Sequence, residues 1–530
     1  GGRGRFIAAT VSLEEPRSVR KNASRGRSRR MATLCMSTRV GASCLLFTLV
    51  SIGAVAGCAE ADTDGDEGGG GSVAGPTSAE TTGSTTAMSS STGTPTSCSF
   101  EAGSDVGSEC GVFVKAGAPD TNDCSRALPC ATIAEALTKV TSANPRVFLC
   151  TSPIEEAVVL PGGVSIYGGF ACSEGWAWNT EDRTPWTAGP DEIPLTFDGG
   201  SLDSEVNGVD LSSADATLPG GSSVVIFANG GSLALANVGL AAGSGAPGDP
   251  GEVGVDGEAG ENGQIGNTDE TPAGGAGGPS TCNMGGAGAP VVCSPTCMVA
   301  DLADPGEPGP QTGGGSAGAS GPTSCTAGGV GTAGAAGANG THAVGIGTID
   351  DMGFHPPKPT DGEPGLPGGG GGGGGGKTTE LLGGGGGGGG GCGATAGLAG
   401  MSGGSSIAIV ANETALSFDG VSALVGLAAD GTVGGAAGLG GTAGFGGNGG
   451  CKALFCNSPT VRGCDGGDGG AGGASGIGGS GAGGHALIIA YLGVAPSVLG
   501  LTYVTPTTSQ AGEAPDGASA GVAAAVLEFD

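Results

Sequence analysis

Apolar positions along this chain come in short runs with two rhythms. Val112-Phe113-Val114, Arg146-Val147-Phe148-Leu149, Ala157-Val158-Val159-Leu160 and Val164-Ser165-Ile166-Tyr167 are rich in β-branched and aromatic residues. Turn residues such as Pro161-Gly162-Gly163 separate them, so each reads as a strand. In Cys130–Val140 the spacing changes: Ile133, Ala136, Leu137 and Val140 share one helical face, which predicts a helix there.

Farther along, the apolar pattern repeats. Gly220-Gly221-Ser222-Ser223 precedes Val224-Val225-Ile226-Phe227-Ala228-Asn229, and 183 positions later Gly403-Gly404-Ser405-Ser406 precedes Ile407-Ala408-Ile409-Val410-Ala411-Asn412. Leu233, Leu235 and Val238 match Leu416, Phe418 and Val421 without a gap. A further shift of 80 gives a weaker copy with Gly483-Gly484, Leu487, Ile489, Val498 and Leu501. Each copy is too small to fold alone, and stacking would bury the matched positions in one narrow core. Val224/Ile407, Ile226/Ile409 and Leu235/Phe418 are expected to point into it. A β-sandwich fits less well, because an antiparallel fold has no need of matched copies. The expected class is all-β: a parallel β-helix or related solenoid with a short N-terminal helix and long Gly-rich insertions.

Those insertions lie between the copies. The first opens with eight Gly-X-Y triplets, Gly245-Ala246-Pro247 to Gly266-Asn267-Thr268, and contains two nine-glycine runs, 368–376 and 383–391. A collagen triple helix needs longer strict triplets and abundant Pro. The tracts read either as floppy loops, cheap to shorten, or as polyproline-II segments packed with Gly at each contact. The resulting organisation is 1–57 leader, 58–97 acidic and Gly/Ser/Thr-rich tether, 98–244 first β part, 245–402 Gly-rich collagen-like insertion, 403–429 one rung, 430–482 second Gly-rich insertion, and 483–530 C-terminal β part.

Composition sharpens this picture. Glycine supplies 121 of 530 residues and aromatics 4%, too little side chain for one broad core. Residues 1–58 hold 10 of the 19 Lys/Arg and 2 of the 50 acids, leaving 9 bases and 48 acids downstream, a formal charge of −39. Such a surface repels nucleic acid. Beyond Cys35, Cys44 and Cys58, 14 cysteines fall in even groups: six from Cys98 to Cys172, four from Cys282 to Cys325, four from Cys392 to Cys464. Local disulfides in an oxidising compartment are expected, with connectivity open. Short spacings at Cys293/Cys297 and Cys451/Cys456 make zinc the alternative, which the scarcity of His disfavours.

Met31 or Met36 reads as the start. A basic Arg39, the apolar run Ala42–Ala54 and Val55-Ala56-Gly57-Cys58 then follow the order of a secretory signal. With a cysteine after the small residues, the segment resembles a bacterial lipoprotein signal, which implies lipidation at Cys58, a membrane as partner through that lipid, and an outer-membrane, surface-exposed location. The alternative is a transmembrane anchor, for which the 18 residues from Val40 to Gly57 are short. Gly111-Val112-Phe113-Val114, Asp120-Thr121-Asn122-Asp123 and Pro129-Cys130-Ala131-Thr132-Ile133-Ala134-Glu135-Ala136-Leu137 resemble the opening of pectin-lyase-like right-handed β-helix proteins, in which a short helix caps the first rung. Ser165-Ile166-Tyr167-Gly168-Gly169-Phe170 with Cys172 resembles Gly-rich secreted lipoproteins of predatory soil bacteria.

The pectin-lyase resemblance implies weighing polysaccharide cleavage. A lyase needs a basic residue beside acids on one face, yet the first full repeat has Asp198, Asp203, Glu205 and Asp210 without Lys or Arg. A hydrolase needs two carboxylates at a set separation, for which Asp198 and Asp210 qualify by residue type only. His342, His355 and His485 lack nucleophilic partners in the sequence. Trp176, Trp178 and Trp186 are the only tryptophans; an exposed row would contact glycans, and burial beside Cys172 is the favoured reading. No cofactor is expected. The reading is a non-catalytic, lipid-anchored surface protein with a structural or adhesive role, contacting surface glycans or matrix. Its alternatives are a carbohydrate-active or glycan-binding β-helix and an ice- or cation-interacting surface protein.

Overall fold

The computed structural model describes residues 98, 105–119, 121–267, 273–292, 299–300, 313–451 and 461–530. Cys58, the apolar run before it and the tether lie outside the described residues. The elements are, in chain order, β1 (Val112–Val114), α1 (Ile133–Leu137), β2 (Arg146–Cys150), β3 (Ile154–Glu155), β4 (Val158–Pro161), β5 (Ser165–Ala171), β6 (Ala177–Trp178), β7 (Thr184–Thr187), β8 (Leu195–Ser212) and β9 (Ser223–Ala241). There follow β10 (Val291–Val292), β11 (Val299–Ala300), β12 (Thr348–Asp350), β13 (Gly353–His355), β14 (Ser406–Asn412), β15 (Ala415–Asp419), β16 (Val421–Leu424), β17 (Ala486–Leu492), β18 (Leu501–Tyr503) and β19 (Ala523–Glu528). The fold is all-β, with one large, almost wholly parallel sheet and very little helix. The strands predicted at 112–114, 146–149, 157–160 and 164–167 are found, as is the helix, shortened to five residues.

Pairing sorts the strands into three stacks. In the first, β4, the start of β8 (195–198), the start of β9 (226–229), β14, β17 and β19 lie side by side. The second stacks β1, β2, β5, the middle of β8, the middle of β9 and β15. The third stacks β3, β7, the ends of β8 and β9, β16 and β18. The chain visits the stacks in a fixed cyclic order, compatible with a β-helix. The 183-residue repeat is the observed register: Ile226 faces Ile409, Leu233 faces Leu416 and Leu235 faces Phe418. The 80-residue shift holds as well, pairing Ile409 with Ile489 and Val421 with Leu501. Val498, however, is exposed and outside any strand, so the last copy lacks the middle strand.

Corners repeat with the strands. Between the first and second stacks the chain turns at Gly200, Gly230 and Glu413, and between the second and third at Gly208, Asn237 and Gly420; Gly493 and Gly500 hold the equivalent positions in the last copy. All eight have positive φ, from 50° at Glu413 to 86° at Gly493. A left-handed residue is needed at each bend, which explains Gly and Asn there.

Inside, Leu160, Phe197, Ile226, Ile409 and Ile489 join Ile166, Val206, Leu235 and Trp186 in one core. Val225 and Ile226 both enter it, as do Ala408 and Ile409, and Ile488 and Ile489, so the two-residue alternation breaks at the same place in three turns. Val224 and Ile407 therefore do not point into this core as expected. They belong to an outer apolar layer with Phe227, Val410, Leu487 and Phe529, under the β12–β13 hairpin.

The Gly-rich tracts are ordered where described. Every long excursion leaves after a third-stack strand and returns at a first-stack strand. Gly251, Gly254, Gly257, Gly260, Gly263 and Gly266 donate to the carbonyls of Val433, Ala436, Leu439, Thr442, Phe445 and Asn448, a parallel pairing that prolongs the 183-residue stacking into the tract. On another side, Glu252, Val255, Glu258 and Glu261 accept from Leu398, Thr395, Cys392 and Gly389, an antiparallel pairing. One contact falls every third residue. Neighbours thus come from both chain directions, so the Gly-X-Y triplets are collagen-like in sequence only.

The two glycine runs lie at the centre, buried throughout. In 368–376 the three registers meet three different neighbours: Gly371 faces Gly467, Gly372 faces Ser316, and Gly373 faces Ala287. In 383–391, Gly386 faces Ala276, Gly387 faces Gly371, and Gly388 faces Gly444. A Cβ at any of these would overlap a neighbouring carbonyl. A segment surrounded on all sides needs glycine at every position, whereas an outer segment needs it at only one or two in three. The floppy-loop reading is overturned.

Disulfides depart from the local pattern in the same region. Cys98–Cys110, Cys124–Cys130 and Cys150–Cys172 pair within the first group. Cys282–Cys392 and Cys325–Cys464 instead cross between the later groups, over separations of 110 and 139 residues. The packing brings distant segments together, which cysteine spacing does not reveal. Cys451 is disulfide-bonded too; Cys293, Cys297 and Cys456 lie outside the described residues.

Candidate functional site

The tryptophans do not form an exposed row. Trp176, with φ of 61°, is buried against Phe113 at 4.8 Å between ring centres, and its Nε1 donates to the Arg126 carbonyl at 3.2 Å. Trp186 is 1% exposed in the main core, its Nε1 donating to the Glu156 carbonyl at 2.8 Å. Trp178 is half-buried, on β6 opposite Phe170. Two of the three rings thus have no face free for a sugar.

The acids separate as well. Asp198 lies in the first stack and Asp210 in the third, so the two carboxylates belong to different stacks. Glu205 accepts from Tyr167 Oη at 2.9 Å and from Asn207 Nδ2 at 3.0 Å. Burial first, then the Glu205 charge, pushes the Tyr167 hydroxyl up to about 12, so it remains a donor. Asp210 meets a base that sequence spacing did not reveal: Arg183 Nη1 reaches it at 3.1 Å, and Arg183 Nε donates to Asn237 Oδ1 at 3.0 Å. Asn237 in turn donates to the Thr180 carbonyl at 2.8 Å. Parallel stacking brings Arg183, just before β7, beside Asp210 on β8 and Asn237 on β9, although 27 and 54 residues separate it from these partners.

The histidines are structural in their contacts. His485 is 2% exposed; its Nδ1 accepts from the Val522 N–H at 2.9 Å and its Nε2 lies 2.7 Å from the Ile346 carbonyl. That pair of partners requires the neutral Nε2–H form, and burial pulls its pKa below 6.5. His342 Nδ1 accepts from the Ser480 N–H at 3.0 Å. His355 pairs with Asp350 at 2.9 Å on the exposed hairpin, where hydrogen bonds from Met352 and His355 hold the Asp350 carboxyl below its usual range.

Two adjoining clefts flank that hairpin. One, of about 300 Å³, lies between Ile193, Phe227, Met352 and Phe354; the other, of about 290 Å³, lies between Pro357, Lys358 and Met401. Asp191 at the rim accepts from the Thr217 side chain and backbone, which holds its pKa below the usual range. Among the described residues no group of three or more His, Cys, Asp and Glu side chains is placed to hold a metal ion, and no helix is long and apolar enough to cross a membrane. No known protein family, curated protein or solved structure matches this chain.

Proposed function

We propose that this chain is a non-catalytic surface protein, lipid-anchored at Cys58, with a structural or adhesive role. In this reading the three stacks wind as a right-handed parallel β-helix, α1 covers its first rung, and the glycine tracts form a bundle of polyproline-II segments. The three-residue contact period and the hydrogen bonds made only to neighbours support that last conformation, which has three residues per turn and no internal bonds. A single observation carries the functional reading: three groups able to do acid–base work, His485, Arg183 and Glu156, are engaged in holding backbone and side chains together. His485 is clamped by two backbone groups, Arg183 by Asp210 and Asn237, and Glu156 by the Ile133 and Ala134 N–H groups at 2.8 Å each.

Two experiments test it. Purified protein should bind on a glycan or matrix array yet release no reducing ends or unsaturated products from pectin and related polysaccharides; turnover that survives purification would sink the non-catalytic reading. Cys58→Ser should abolish incorporation of labelled fatty acid and release the protein from membranes. Continued detergent-phase partitioning of that variant would refute the lipid anchor.

A further inference from the structure

One outer segment of the glycine bundle presents an exposed apolar ridge. In 431–450, two of the three registers are almost entirely Gly or Ala and pack against neighbours. The third register is Val433, Ala436, Leu439, Thr442, Phe445 and Asn448, and all six are exposed. Val433, Leu439 and Phe445 are 57%, 69% and 68% exposed. Beside it runs a second exposed ridge, Pro250, Val253, Asp256, Ala259, Asn262 and Ile265. The two are joined sideways, Asp256 Oδ1 accepting from the Leu439 N–H and Asn262 Oδ1 from the Phe445 N–H, both at 2.7 Å. Asp256 is the only ionisable residue among these twelve, in a chain of net charge −31. Acids rim the patch: Asp249, Glu252, Glu258 and Glu261 occupy the next register of the same segment.

The ridge also alternates in size. Large residues stand at 433, 439 and 445, and smaller ones at 436, 442 and 448. Reversing the ridge about the midpoint between Leu439 and Thr442 places Leu439 on Thr442, Phe445 on Ala436 and Val433 on Asn448. Every knob meets a hole. A two-fold axis generates that superposition, and an isologous interface requires such self-complementarity.

We propose that this ridge docks against the same ridge of a second copy of the chain, in antiparallel alignment. Size alternation selects this occupant, and charge favours this face. Two copies carrying −31 each repel one another over acidic surface, and here the contact is almost free of charge. At about 3.1 Å per residue the ridge is about 45 Å long. With its neighbour it offers length for a contact of the standard size, about 800 Å² per partner. The inference rests on the polyproline-II conformation of the bundle and not on the lipid anchor or the adhesive role.

Sedimentation of the full, disulfide-bonded chain in detergent tests this, because lipid-mediated association would affect variants and wild type alike. The wild type should show a concentration-dependent dimer that strengthens with salt as the like charges are screened. Leu439→Glu should weaken it at least a hundredfold, and Ala436→Phe should weaken it by filling the hole for Phe445. Leu499→Glu, at an 84% exposed position on the β part, should leave it unchanged. Retained circular dichroism in each variant separates loss of contact from loss of fold. A wild type that stays monomeric at about 1 mM, the weak end of the affinity scale, would overturn the proposal. So would a dimer indifferent to Leu439→Glu, or a ridge that instead captures glycan or matrix while the chain stays monomeric.

Discussion

At His485 the imidazole accepts one backbone N–H and donates to one carbonyl, an arrangement only the neutral ring can satisfy. Burial lowers its pKa in the folded chain below 6.5, so between that lowered value and about pH 6.5 the unfolded chain binds more protons. The stabilisation is therefore full above about pH 6.5 and is lost as pH falls through the folded-state pKa. Urea midpoints of wild type and His485→Gln should converge as pH falls from 7.5 towards 5; an unchanged gap would refute the neutral-clamp assignment. Glycine supplies the second residue-scale prediction. At Gly371 an added methyl overlaps the Gly467 carbonyl, whereas at Gly313 it meets nothing within 4 Å. Gly371→Ala should cost about 1–3 kcal/mol or more, as overpacking does, and Gly313→Ala should be neutral or slightly stabilising. Thermal melts compare the two, and equal losses would contradict the central placement of the glycine runs. The burial of Trp176 and Trp186 was legible from residue type, because large rings mostly serve cores. The meeting of Arg183 with Asp210 was not, since nothing local in the sequence records which strands stack.

Strands were legible where their apolar residues are contiguous, as in Val147-Phe148-Leu149, and the matched copies specified their register because parallel stacking places equivalent residues side by side. The inward direction of Val224 and Ile407 was misjudged for a local reason: two consecutive inward residues follow each of them, shifting the alternation by one. Phe418, 8% exposed and stacked on Leu235 in the core, is a sensitive probe of that register. Phe418→Ala should cost about 3–5 kcal/mol, as for a buried aromatic, measured by denaturant titration; a cost under about 1 kcal/mol would mean that β15 does not stack. The Gly-rich segments were the least legible elements. Their period of three shows in the triplets after Gly245 but vanishes in the pure glycine runs, where all three registers are filled by one residue type. Shortening them is accordingly no longer expected to be cheap. Removing 245–402 would leave β9 able to meet β14, yet it would strip 431–450 and 463–481 of partners that now accept or donate a bond every third residue.

For the described part as a whole, the β stacks carry a hydrophobic core while the glycine bundle has almost no side chains to bury. The bundle relies on hydrogen bonds between neighbours, and glycine pays the highest backbone entropy to make them. Long-range crosslinks offset that cost where it is largest. Cys282–Cys392 closes a loop of 110 residues and Cys325–Cys464 one of 139, and both join segments of the bundle. By chain entropy a loop of about 100 residues contributes about 4.7 kcal/mol, and one of 15 residues about 3 kcal/mol. The short bridges Cys98–Cys110 and Cys124–Cys130, of 12 and 6 residues, should matter less. The double variant Cys282→Ala/Cys392→Ala should therefore lose more thermal stability than Cys124→Ala/Cys130→Ala. Its loss should fall on amide protection in 383–404 and 431–450, while β8 and β9 stay protected. Peptide mapping without reductant decides whether the premise holds: a Cys282–Cys392 crosslinked peptide is expected. Recovery of Cys282 joined to Cys293, Cys297 or Cys325 would restore the local pattern and remove the 110-residue constraint on the bundle.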